Sequence, residues 1–134
     1  MSERPAYLEP DHAALSAIVA AADEDPDPVV MVNLLGFAGP DGAAAYERYA
    51  IAVQPHLDRV GATVEYAGLP TQVVIGEAGD AWWDAIVLVR YPSRAAFLAM
   101  VTHPDYPAAA RHRTEALATS ALVATRPWEP ATGA

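Results

Sequence analysis

Two stretches of the chain, 29–35 (Val-Val-Met-Val-Asn-Leu-Leu) and 85–89 (Ala-Ile-Val-Leu-Val), are apolar at successive positions rather than alternate ones, Asn33 apart. Successive side chains of a strand point to opposite faces of its sheet, so a strand with one wet face alternates apolar and polar residues. These two runs therefore need cover on both faces. Few small folds supply that within one chain.

The remaining elements follow from spacing and punctuation. Asp11 N-caps a predicted helix over 12–22, with Leu15, Ile18 and Val19 on one stripe. The acidic, Pro-interrupted loop 23–28 ends it; its carboxylates lack the alternation, mid-loop Gly and terminal Glu of a calcium loop and are read as solvated. The strand over 29–35 stops at Gly36. After the turn Gly39-Pro40-Asp41-Gly42, residues Tyr46, Tyr49, Val53, Leu57 and Val60 recur every three or four positions, which predicts an amphipathic helix ended by Gly61. Pro55 inside it removes one backbone hydrogen bond and is expected to kink it.

A strand is predicted over 63–67, and 71–75 (Thr-Gln-Val-Val-Ile) reads as its continuation past a bulge or as a separate short strand. A turn over 77–80 leads to the strongest strand pattern, 82–91. Ser93 caps a helix carrying Phe97, Met100 and Val101, which 103–106 (His-Pro-Asp-Tyr) interrupts. A second helical stretch begins near Pro107 and places Ala109, Arg113, Ala116 and Leu117 on one face. A last strand is predicted over 120–125, followed by a loosely held tail, 127–134.

Behind the first helix, the order is strand, helix, strand, strand, helix, strand. That is the split β-α-β, ferredoxin-like arrangement of an α+β protein, whose helices lie on one face of the sheet. The length of 134 residues suits a single domain, 1–134, with its core at about 28–126 between an N-terminal helix and loop (1–27) and the tail. The uncovered sheet face then needs either the helix over 12–22 or a second copy across a two-fold axis. A homodimer is the expected answer, because one short helix cannot cover four strands.

Charge and composition exclude several classes of function. Seventeen acidic against eight basic residues give a net charge of −9, which repels phosphate backbones and anionic lipid, so no nucleic-acid or membrane partner is expected. No basic leader precedes a long apolar run, and no segment is long enough to span a bilayer, which suggests a cytoplasmic protein. With no cysteine there is no disulfide framework, thiol nucleophile or thiolate metal site. His12, His56, His103 and His112 have no ligand spacing, no Gly-rich loop suits a nucleotide, and Ser93 and Ser120 lack the setting of a nucleophile; no cofactor and no metal are expected.

Several short motifs together carry a family likeness. Met31-Val32-Asn33-Leu34-Leu35, Tyr46-x-x-Tyr49 before Pro55 and Gly61, Trp83-Asp84, and Val89-Arg90-Tyr91-Pro92-Ser93 are the first. Phe97, the 103–106 segment and His112-Arg113 complete them, over about 30–123. In these the chain resembles a small bacterial domain-of-unknown-function family of the dimeric α+β barrel superfamily. The resemblance implies the ferredoxin-like fold and the dimer. The superfamily includes cofactor-independent monooxygenases, lactone isomerases, polyketide cyclases and haem-dependent enzymes, so it leaves the chemistry open.

Candidate site residues are weighed one by one. Asn33 is the only amide in an apolar strand and either orients a substrate carbonyl or satisfies a backbone group. Arg90, late in a buried strand, needs a carboxylate or ligand oxygens if it points inward, and otherwise makes a salt bridge at the sheet edge. His112 and Arg113 adjoin the apolar stripe of the last helix, so at least one can reach the interior; His112 either moves a proton or is exposed on the surface, and Arg113 otherwise makes a structural contact to a loop. Asp84 is read as a local turn acceptor. Tyr46, Tyr49, Tyr66 and Trp83 are candidates to line an aromatic pocket or simply pack.

The expectation is therefore a cofactor-independent small-molecule enzyme of oxygenase, isomerase or cyclase type, with His112, Arg90 and Asn33 catalytic and Tyr49, Tyr66 and Trp83 against the substrate. The alternative is a non-catalytic homodimer that binds a metabolite or is purely structural.

Overall fold

The computed structural model describes residues 7–77 and 82–128. The expected turn over 77–80 and tail over 127–134 lie largely outside them. Helix α1 (His12–Glu24) precedes strand β1 (Val29–Phe37), helix α2 (Gly42–Val60) and strand β2 (Thr63–Gly68). Strand β3 (Ala85–Tyr91), helices α3 (Arg94–Val101) and α4 (Tyr106–Ala116), and strand β4 (Leu117–Thr125) follow. The strands form one antiparallel sheet in the order β2-β3-β1-β4. With α3 and α4 together standing for the second helix, this is the ferredoxin-like α+β order, preceded by the extra N-terminal helix.

Local chemistry sets the boundaries. The Asp11 carboxylate accepts the Ala14 N–H at 2.8 Å and starts α1, and the Ser93 hydroxyl accepts the Ala96 N–H at 3.1 Å and starts α3. Gly61 ends α2 in the left-handed region at φ 75°, where a side chain would be strained. Helix α2 runs on through Pro55 as one element. At its other end Gly42 lies against Phe37 and the Ala116 carbonyl, where a Cβ would come within 2.8 Å of each, so the α2 start docks directly on the ends of β1 and α4.

The sheet has two different faces. On β1, Val29, Met31, Asn33 and Leu35 are buried toward the helices, while Val30, Val32 and Leu34 lie half-buried on the other side. Val29, Met31, Val89 and Tyr91 pack against Tyr49, Val53 and Leu57 of α2 and Met100 of α3. Leu35 and Ala85 make a second cluster with Ala45, Ala116 and Leu117. Helix α1 packs mainly on α3, with Ile18 against the first cluster, and so lies on the helical side. It leaves the outer face bare.

Pairing on that outer face aligns Tyr66 with Leu88, Leu88 with Val32, and Val32 with Val123, an apolar row across all four strands. Ile86 and Leu34 extend it. Among the described residues only the loop around Leu69, Pro70 and Trp82 encroaches on it, near Tyr66 and Ile86.

Three strand expectations change. Residues 71–75 form no strand: β2 is already the edge of the sheet, among the described residues nothing pairs with it further out, and Val74 and Ile75 stay 81% and 94% exposed. β-Propensity without a ladder partner does not make a strand. The strand expected from residue 82 begins only at Ala85, because Asp84 caps the end of β1: its N–H donates to the Leu35 carbonyl and its carboxylate accepts the Phe37 N–H, both at 2.8 Å. The last strand starts earlier than expected, at Leu117, directly after α4.

Candidate ligand-binding cleft

Between the inner face of the sheet and the helices lies a cleft of about 1220 Å³. That exceeds the roughly 300–1,000 Å³ of a usual small-molecule pocket. Helix α1 presents Ala14, Ala17, Ile18 and Ala21 to it, the i, i+3, i+4, i+7 face, yet buries no residue of its own. Small side chains on that face and the stand-off of α1 leave the space open. Leu122 and Ala124 of β4 and Val87 of β3 give the opposite wall an apolar surface.

Polar groups gather at one place in this apolar cleft. Asn33, 8% exposed, donates from Nδ2 to the Val87 carbonyl at 3.3 Å and accepts at Oδ1 from Arg113 Nη2 at 3.5 Å. Arg113 Nη1 donates to the Leu8 carbonyl at 3.5 Å. The Tyr46 hydroxyl sits beside the same guanidinium; burial raises its pKa, and the charge and hydrogen bond of Arg113 offset part of that. The hydroxyls of Tyr49 and Tyr106 lie 3.1 Å apart. Burial, then Tyr106, push the Tyr49 phenol well above its ordinary value, and burial does the same to Tyr91. These phenols stay protonated at neutral pH and are donors, not bases.

The segment before α1 closes one side. The Ser120 hydroxyl donates to the Tyr7 carbonyl at 2.6 Å and the Tyr7 N–H donates to the Thr119 hydroxyl at 3.4 Å, which lays residues 7–10 along the cleft mouth. At the far end of α1, Arg94 binds Asp25 at 2.8 Å. Glu9 and Glu47 line the rim and are exposed.

The expected site residues are distributed unevenly about this cleft. Asn33 and Tyr49 line it. Arg90 is exposed and, by strand parity, lies on the outer face with Val30 and Thr63 as its cross-strand neighbours; no ion pair of Arg90 occurs among the described residues. Tyr66 is also on that face, 59% exposed. Trp83 is half-buried and His112 half-buried on α4; neither lines the cleft. The Nδ1 of His112 is buried with no hydrogen-bond partner among the described residues. The structure thus brings Asn33 and Tyr49 together with Tyr46, Tyr106 and Arg113, and separates them from Arg90, Tyr66, Trp83 and His112.

Tyr106 is the member that sequence reasoning did not single out as a site residue. Its signal is weak: it lies in the His-Pro-Asp-Tyr interruption, where turn formers dominate the reading, and only the docking of α4 on α2 brings it to Tyr49. A second cluster lies beside it, where His56 of α2 meets the rings of His103 and Tyr106 edge-on at 5.9 and 5.8 Å and its Nδ1 lies 2.8 Å from Arg59 Nη2. Burial, then Arg59, lower the His56 pKa and keep it neutral.

No curated protein matches the chain. Among solved structures, a protein of unknown function from Rhodopseudomonas palustris is 31% identical, over 94% of this chain and 100% of that one, with a TM-score of 0.82. A dimeric protein of unknown function and ferredoxin-like fold from Bacteroides fragilis is 13% identical over 73% of this chain and 94% of that one, at a TM-score of 0.52. A dimeric ferredoxin-like protein of unknown function from Thermobifida fusca is 17% identical over 73% and 89%, at 0.50. The last two share the fold alone. The profile of the family described as a domain of unknown function, DUF1330, matches residues 40–126, from the turn before α2 to the end of β4. With that match, and with the Rhodopseudomonas relative alike along nearly its whole length, the chain belongs to the DUF1330 family.

Proposed function

We propose that this protein is a homodimer, each subunit of which binds one small molecule with a largely apolar body in the cleft between sheet and helices. The observation that carries the reading is the cleft itself: a large apolar space with a few convergent polar groups from β1, α2 and α4. The dimer is supported by the apolar row on the outer face, which a two-fold partner would bury against its own copy, and by relatives of this fold described as dimeric. A cytoplasmic setting agrees with the acidic, cysteine-free chain; among the described residues no helix is long and apolar enough to cross a membrane.

An enzymatic reading has one feature in its favour. The Tyr46 hydroxyl and the Arg113 guanidinium converge, and such a pair stabilises an oxyanion developing on a carbonyl. Against it, the cleft lining among the described residues holds no buried carboxylate or histidine to act as a base. Binding without turnover is therefore the preferred reading. Native mass spectrometry of gently purified protein tests it: a dimer retaining one discrete extra mass per subunit is expected. A monomer that takes up no hydrophobic small molecule from a screened library would overturn it.

A further inference from the structure

We infer that the cleft selects a carboxylate with an apolar body, the carboxylate docking on Arg113 and the body lying between the Ala-rich face of α1 and the sheet. The inference rests on reading the cleft as a ligand site and goes further by naming the class. Among the described residues two guanidiniums line the cleft. Arg94 is neutralised by Asp25 at 2.8 Å. Arg113, half-buried, has no carboxylate partner among the described residues; its partners are neutral, the Leu8 and Asn33 oxygens, each at 3.5 Å, the outer limit of a hydrogen bond, and the Tyr46 hydroxyl.

Among the described residues the ion-paired arginines are Arg94 and Arg111, and of the others only Arg113 is half-buried rather than exposed. A half-buried cation is stabilised when an anion completes its fork of donors, and a carboxylate fits that fork in bidentate fashion.

Neighbouring donors point the same way. The Tyr46 hydroxyl lies beside Arg113. Tyr49 and Tyr106 share one hydrogen bond, which uses one of their two hydroxyl protons and leaves the other to donate. The charge of the ligand is limited to one: the net charge of −9 and the exposed carboxylates of Glu9 and Glu47 at the rim repel a second anionic group. On docking, the carboxylate displaces the Leu8 carbonyl from Nη1.

Calorimetric titration of the full chain with decanoate, decanol and decyltrimethylammonium tests this. Decanoate is expected to bind roughly tenfold or more tightly than decanol, the contribution of a charge-assisted hydrogen bond, and the cation most weakly. Arg113→Met should abolish the preference by weakening decanoate binding far more than decanol binding, and Arg113→Lys should restore part of it. Should Arg113→Met not fold, Tyr46→Phe should narrow the preference instead. Equal binding of decanoate and decanol, or a preference that survives Arg113→Met (or Tyr46→Phe where that variant stands in), overturns the carboxylate assignment and leaves the cleft reading standing. Absence of binding by all three probes overturns the cleft reading and this inference together.

Discussion

At the scale of single residues, the site is a set of hydroxyls and one cation held by neutral partners. Removing the Tyr49 hydroxyl leaves Tyr106 without its protein partner, so Tyr49→Phe is expected to lower stability by about 0.5–1.5 kcal/mol in urea unfolding at fixed protein concentration. A gain in stability would show that the pair is strained. The buried phenols also set an alkaline limit. Because Tyr46, Tyr49 and Tyr91 have raised pKa values when folded, the unfolded chain sheds their protons first above about pH 10. Stability is then fully present below that pH and falls as it rises. Absorbance at 295 nm should show the buried phenols Tyr46, Tyr49 and Tyr91 ionising only together with unfolding. Asn33 was legible in the sequence, as the one amide in an apolar strand. Arg113 was only half legible: the helical stripe brings His112 or Arg113 inward, and which of the two is decided by how α4 rotates on α2, a tertiary fact.

At the scale of elements, α1 stands apart. It has no buried residue and is tied at its ends, by Asp25 to Arg94 and through residues 7 and 8 to Ser120 and Arg113. Few buried contacts mean a low opening free energy, so its amides should exchange with deuterium orders of magnitude faster than those of β1, and a carboxylate ligand should slow them. Equal protection in α1 and β1 would contradict this placement. Helix starts at Asp11 and Ser93 and the stop at Gly61 were legible because caps are local chemistry. The 71–75 segment was misread as a strand for the converse reason: propensity is local, but a ladder needs a neighbour, and the edge position of β2 provides none. Arg90 is a related case. Parity along β3 fixes that it and Val89 face opposite ways, but only the docking of the helices decides which way is inward.

At the scale of the whole molecule, the proposed dimer and the proposed ligand site use opposite faces of the sheet. Leu88→Lys places a charge in the middle of the row from Tyr66 to Val123 and should give a monomer by light scattering at micromolar concentration, with the cleft unaltered. A variant that remains dimeric would move the interface elsewhere. The apolar row on the outer face was legible in the unbroken apolar runs, because strand periodicity sends every second residue of such a run to that side. The size of the cleft was not, since it depends on how far α1 stands from the sheet.

The alternation on β1 has a consequence for how this chain can vary. Val32 and Asn33 are adjacent in sequence, yet one faces outward and the other reaches the guanidinium. The strand is thus written in a frame of two, and gaining or losing one residue between Val29 and Leu35 would exchange both surfaces at a stroke. Substitutions of like for like are tolerable there; changes of length are not. The register shift between Gly36 and Phe37, outside that interval, marks where the strand can absorb an irregularity without inverting what either side reads.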